Sequence, residues 1–130
     1  MYKLCLKINQ LPKSLNKKLR SNRFKNNSEN KQWDKLIYLE TVKKRPDLPL
    51  KKASITLVRH SYRTLDYDGL VGSLKPVVDA LVFSRIISDD SWKVLGRWNV
   101  DQKFRPKALG NLLEILVEEI NSPEKTVDFF

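Results

Sequence analysis

LDYDGLVGSLKPVVDALVFSRIISDD, residues 65–90, is the stretch on which the fold turns. It gathers five of the chain's 15 acidic residues into 26 positions: Asp66, Asp68, Asp79, Asp89 and Asp90. Its middle reads as a helix from about Ser73 to Phe83, because Leu74, Val77, Val78, Ala80 and Leu81 recur at helical spacing. Ser73 supplies a cap, and Pro76 then falls in the first turn, where a missing N–H is tolerated. Gly69 and Gly72 are read as a tight turn into that helix. Asp66 and Asp68, two apart on extended backbone, would point their carboxylates to one face. Carboxylates held that close repel each other unless a cation stands between them, which makes a divalent metal the candidate occupant. Lys75 and Asp79 are four apart and share a helix face, and for Asp79 an ordinary surface salt bridge is the preferred reading.

Upstream, Ala53–His60 is β-branched and alternating, a strand with Ile55 and Leu57 on one side and Thr56 and Val58 on the other. His60, at its end, is read as packing or solvent-facing rather than as a general base. Downstream, Trp92–Val100 is a second strand, irregular at Gly96. Lys93, Arg97, Lys103, Arg105 and Lys107 interleave there with Trp92, Trp98 and Phe104, a pattern shared by nucleic-acid surfaces and by strands whose tryptophans are core.

Further out, Tyr2–Ile8 alternates as a first strand, with Tyr2, Leu4, Leu6 and Ile8 on one face. Lys13 to Asn30 is strongly polar and is read as a loop, either solvated or ordered on a DNA backbone through Lys13, Lys17, Lys18, Arg20, Arg23 and Lys25. A helix is expected over residues 29–43, capped by Ser28, with Trp33, Leu36 and Ile37 at its spacing and Lys43-Lys44-Arg45 at its C-terminus. Prolines 46 and 49 stop it. Pro106 is expected to open a final amphipathic helix running through Leu112, Leu116 and Ile120, with Glu114, Glu118 and Glu119 on its polar side. The tail, 122–130, either docks through Phe129 and Phe130 or frays. The expectation is a single α+β domain over residues 1–130, a mixed sheet packed with helices.

Charge is uneven. Residues 1–63 carry 17 Lys or Arg against 4 acids, a net +13, while the remainder carries 8 against 11, a net −3. A basic half of this size favours a polyanionic partner, although a lysine-rich solvated surface gives the same count. One Cys and one His exclude an intrachain disulfide and a zinc site, so a metal would be held by carboxylates, which favours Mg²⁺ or Mn²⁺. No apolar run approaches membrane-spanning length and no signal segment is read at the start, so the expectation is a cytoplasmic protein without a membrane partner.

Asp66-Tyr67-Asp68, then Lys75, then Asp79-Ala80-Leu81, then Asp89-Asp90 resembles the RusA-like Holliday junction resolvases, endodeoxyribonucleases of bacteria and their phages. The match spans about 26 residues; beyond it only the order of elements is similar. The resemblance implies that Asp66, Asp68 and Asp90 are catalytic carboxylates binding Mg²⁺, with Mn²⁺ as a substitute, and that Lys75 is the catalytic lysine. It also implies a homodimer acting on four-way DNA junctions. Two departures stand out. Gly69 occupies the place of the family's usual Asn, and Lys75 follows Asp68 by seven residues rather than four, as though a helical turn had been inserted. The competing classes are a non-catalytic basic nucleic-acid-binding protein and a metal-dependent nuclease for other branched DNA.

Overall fold

The computed structural model describes residues 1–12 and 23–120, apart from the side chains of 23–27. The described residues form four strands and two helices: β1 (Lys3–Ile8), α1 (Arg23–Glu40), β2 (Ala53–Ser61), α2 (Tyr67–Phe83), β3 (Leu95–Phe104) and β4 (Leu112–Glu119), with a short 3-10 turn at Lys107–Leu109. This is the α+β architecture expected from the sequence. The sheet order is β1-β4-β2-β3. β4 pairs antiparallel with β1 on one side and β2 on the other, and β2 pairs parallel with β3. Parallel neighbours cannot be joined by a hairpin, so the chain between β2 and β3 crosses the sheet as α2.

Alternation decides which side chains are buried. Leu4, Leu6 and Ile8 of β1, Ile55 and Leu57 of β2, and Leu113, Ile115 and Val117 of β4 face inward and are buried. They form one core with Trp33 and Ile37 of α1 and Leu70, Leu74, Val77, Val78 and Leu81 of α2. The opposite face of the sheet carries Lys3, Cys5 and Lys7 beside Glu114, Leu116 and Glu118, half-buried or exposed. No described helix is long and apolar enough to cross a membrane.

The structure corrects four expectations. The final helix is a strand. Leu112–Glu119 alternates with the burial pattern iBiBiBee, and its helical appearance came from Leu112 and Leu116, apolar residues on the outer face. Gly110, at φ 76°, breaks the chain before it, and Arg105 ties off the turn by donating to the carbonyls of Gly110 and Leu109 at 3.1 and 3.3 Å. A strand with partners on both edges gains backbone pairing along its whole length, and that outweighs a modest helical preference.

The second correction is the start of α1. It begins at Arg23, so Ser28 is interior rather than a cap, and residues 23–30 are helix rather than loop. Asn and Ser cost only fractions of a kcal/mol each inside a helix, and extending one already nucleated by buried Trp33 and Ile37 is inexpensive. Lys13, Lys17, Lys18 and Arg20 lie outside the described residues; Arg23 and Lys25 lie in the first turns of α1. The helix ends with Arg45 donating to the Tyr38 carbonyl at 2.7 Å while its guanidinium lies 3.9 Å over the Tyr38 ring. The helix stops at Glu40, short of the expected residue 43, with no basic residue in its last turn, and Arg45 of the expected 43–45 run reaches back to it from the following turn.

Thirdly, α2 begins at Tyr67, six residues before Ser73, with Asp66 as its cap. Gly69 and Gly72 are therefore helical, and Pro76 sits well inside the helix. Two glycines cost about 1 kcal/mol each there. Burial of Leu70 and Leu74, each worth roughly 1.5–3 kcal/mol, offsets them. The fourth correction is β3, which starts at Leu95 rather than Trp92 and runs to Phe104. The irregularity expected at Gly96 is present: Ala53 pairs with Leu95 but Ser54 with Arg97, which leaves Gly96 as a bulge.

The strand assignment of β4 has a direct consequence. Ile115→Ala, in the core, is expected to cost about 2–5 kcal/mol in urea unfolding, whereas Leu116→Ala, on the outer face, should cost under about 1.5 kcal/mol. Equal losses at both positions would contradict the alternation.

Candidate active site and nucleic-acid interface

β2 delivers the chain to the first aspartates. Beyond Ser61 the backbone bends, and Leu65 is clamped to β3: its N–H donates to Gln102 Oε1 at 2.9 Å, and Gln102 Nε2 donates to its carbonyl at 2.7 Å. Asp66 follows with extended backbone, φ −68° and ψ 168°, and its Oδ1 accepts from the Gly69 N–H at 2.8 Å. It is a helix cap, satisfying one of the donors left open at the N-terminus. Gly69 is part of that arrangement, since a Cβ there would stand 2.6 Å from Asp66 Oδ1. The glycine that departs from the RusA-like pattern thus lets the carboxylate close tightly on the helix. Asp68, exposed in the first turn, faces the positive end of the helix dipole. Asp66 and Asp68 are consequently not two residues of one extended strand, and the argument that their spacing alone aims them at a shared cation does not hold.

Lys75 is the centre of a second cluster. Its Nζ donates to Asp79 Oδ1 at 2.6 Å and also to Asp90 Oδ2. The expected salt bridge to Asp79 is present, and Asp90, 15 residues further along, shares the same ammonium. Burial alone would lower the Lys75 pKa, but hydrogen bonds to Asp79 and Asp90 and their charges outweigh it, and the net shift is upward. The Lys75 hydrogen bond holds the Asp90 carboxyl below its ordinary range. Across the helix interface, Asp34 of α1 is pushed up, first by burial and then by the charge of Asp79. Asp34 was not singled out from the sequence. Only the packing of α1 on α2 brings it near this cluster, and no local spacing signals that.

Asp66 and Lys75 are nine residues apart on one helix, roughly 13 Å along its axis. The candidate residues therefore fall into two groups, Asp66 with Asp68 at the start of α2 and Lys75 with Asp90 further along it. Among the described residues no three His, Cys, Asp or Glu side chains stand together so as to hold a metal ion. The oxygen donors suit Mg²⁺ by type, but as arranged Asp66, Asp68 and Asp90 do not fit a closed metal cage. His60 meets Glu114 on the outer face of the sheet, on the side away from the helices.

The interleaved cations and aromatics separate in space. Trp98 packs against the core, while Trp92 and Phe104 are exposed. Tyr62, just past β2, has the Lys107 ammonium 5.3 Å and the Arg63 guanidinium 5.6 Å from its ring. This basic and aromatic surface lies at the end of the parallel pair from which Asp66 emerges, where Arg105 N–H bonds Ser61 O at 3.0 Å.

The Lys75–Asp90 contact has a defined pH window. Asp90, with its lowered pKa, contributes stability that is fully present above about pH 4 and is lost as pH falls through its folded value. Lys75, with its raised pKa, contributes below about pH 10 and loses that contribution as pH rises through its folded value. Both side chains are over a third exposed, so the pair contributes less than about 1 kcal/mol. Carboxyl NMR titration is expected to place Asp90 below the ordinary Asp value in the native chain and to return it toward that value in Lys75→Met. Asp66→Ala should lower stability by about 1 kcal/mol in thermal melts through loss of the cap. Comparison of the chain with models of known protein families gives no match, and comparison with curated proteins gives none either.

Proposed function

We propose that the chain is a RusA-like, Mg²⁺-dependent endodeoxyribonuclease that resolves four-way DNA junctions by paired nicks, acting as a homodimer in cytoplasmic DNA recombination and repair. The observation that carries this reading is the contact of Lys75 with Asp90. The resemblance assigns both residues to one site, they are 15 positions apart, and they share a hydrogen bond. The basic half of the chain adds support, because junction recognition by shape requires phosphate contacts and few base contacts. In this reading Lys75 exchanges a carboxylate for the scissile phosphate and neutralises charge as it develops there. Lys13, Lys17, Lys18, Arg20, Arg23 and Lys25 hold the backbone of the junction arms. The resemblance would put Mg²⁺ or Mn²⁺ at Asp66, Asp68 and Asp90.

A non-catalytic nucleic-acid-binding protein is the second reading. It is favoured by Asp66 being engaged as a cap and by Asp90 being already paired with Lys75. A nuclease for other branched DNA is separated from the first reading by a panel of flap, fork and junction substrates.

The deciding experiment is cleavage of a labelled synthetic four-way junction, beside linear duplex, with Mg²⁺, Mn²⁺ or EDTA. Symmetric nicks on the junction alone, abolished by EDTA, are the expected result. Asp68→Asn should abolish cutting while keeping or improving junction binding, since it removes a charge repelled by phosphate. Tight, salt-sensitive binding with no cutting under either metal would establish the binding-protein reading instead.

A further inference from the structure

The bulge at Gly96 opens a groove that the Lys75 cluster does not use. It has a volume of about 500 Å³ and is lined by Lys52, Ser54, Trp92, Gly96, Arg97 and Ile120. Gly96 lies against its lining, since a Cβ there would stand 2.9 Å from Ile120 Cδ1 and 3.4 Å from Lys52 Cε. The floor is fixed to the entry of β2, where the Ile120 N–H donates to the Lys52 carbonyl at 3.0 Å. Trp92 forms one wall. It sits on a turn closed by the N–H groups of Val94 and Leu95, which donate to the Ser91 carbonyl at 3.0 and 2.8 Å. Trp92 is 79% exposed, whereas Trp33 is 3% exposed in the core. A large ring held on a hydrogen-bonded turn yet left in water is available for contact with a ligand.

The charges around the ring narrow the choice of ligand. Lys52 and Arg97 line the groove with it. Lys51 lies in the adjoining groove, which meets this one at Lys52 and Ile120, and Lys93 follows Trp92 directly. The acid of the adjoining groove, Glu119, is engaged elsewhere, its Oε1 accepting from the Tyr2 N–H at 3.1 Å. Cations alone would take any phosphate, and an exposed indole alone would take any apolar group. A flat π-face in a groove it shares with two cations selects a ligand that carries both, a nucleobase on a phosphate backbone. A base must leave its stack to present that face, so the ligand is unpaired.

We propose that the Trp92 groove binds an unpaired nucleobase of single-stranded or branched DNA, stacked on the indole with Lys52 and Arg97 on the flanking phosphates. This deepens the DNA reading above and rests on it for the class of partner.

The test titrates the full chain with a short oligothymidylate and with an abasic sugar–phosphate oligomer of equal length, following tryptophan emission and anisotropy. Oligothymidylate should quench the emission and bind more tightly than the abasic oligomer. Trp92→Ala should weaken oligothymidylate binding roughly tenfold and remove the quench, while Trp92→Phe retains most of the affinity. Arg97→Ala should weaken both oligomers alike and reduce the salt slope by about one. Trp92→Ala binding as tightly as the native chain, or equal affinity for the two oligomers, would overturn the proposal. The two readings fail separately. Quenching that depends on Trp92, with no junction cut under any metal, keeps the groove and removes the nuclease. Normal metal-dependent junction cutting, with oligothymidylate binding indifferent to Trp92, keeps the nuclease and removes the groove.

Discussion

The parallel pairing of β2 with β3 is the constraint on which the site depends. Because these strands run the same way, the chain leaving β2 must return to the other end of the sheet before β3 can begin. The return is made by α2, 17 residues long, so its two ends are necessarily far apart. Asp66 and Asp68 stand at the departure end. Asp90 comes after the helix has ended at Ser84, Arg85 has taken a positive φ of 62°, and Ile86 and Ile87 have been buried. Only the reach of Lys75, from the middle of the helix, connects with that last aspartate. The division of the candidate residues into two groups therefore follows from the topology.

How far the sequence reveals this depends on how local each signal is. β1 and β2 are legible because their outer positions are polar or β-branched, so the period of two stands out. β4 is not, because Leu112 and Leu116 fill outer positions with apolar side chains and turn an alternating strand into a run that also matches a helix. The start of α2 is hidden for a different reason. Asp, Gly and Gly are turn-forming residues by local preference, and the cap formed by Asp66 with the Gly69 N–H overrides that preference once Leu70 and Leu74 have a core to enter. The Lys75–Asp79 pair is legible because it is four residues apart on one helix. The Lys75–Asp90 pair is legible only through the resemblance. Asp34 is not legible at all, since its nearness to Asp79 exists only after α1 has docked on α2.

The Lys75 cluster contributes little to stability. Exposed ion pairs contribute a fraction of a kcal/mol, and nearby Asp34 has its pKa raised first by burial and then by the charge of Asp79 across the helix interface. What the arrangement does achieve is to hold one ammonium between two carboxylates in a defined place on a strongly basic protein. Under the proposed nuclease reading, a cation so held would exchange a carboxylate for a phosphate when one is delivered.

The segments that carry Lys52 and Asp90 are tied together by backbone hydrogen bonds. Leu50 bridges to Ile87: its N–H donates to Ile86 O at 2.9 Å, and its carbonyl accepts from the Ser88 N–H at 3.0 Å. Lys51 and Lys52 follow Leu50 directly, and Asp89, Asp90, Ser91 and Trp92 follow Ser88 directly. One backbone bridge thus anchors both the basic wall of the groove and the turn that carries Trp92 and Asp90. Phosphates held at Lys52 and Arg97 would be constrained by the same short segment that positions the carboxylate paired with Lys75. The anchor is backbone hydrogen bonding at the buried Ile86 and Ile87, so the basic wall of the groove and the Asp90 turn are held by the same core contacts.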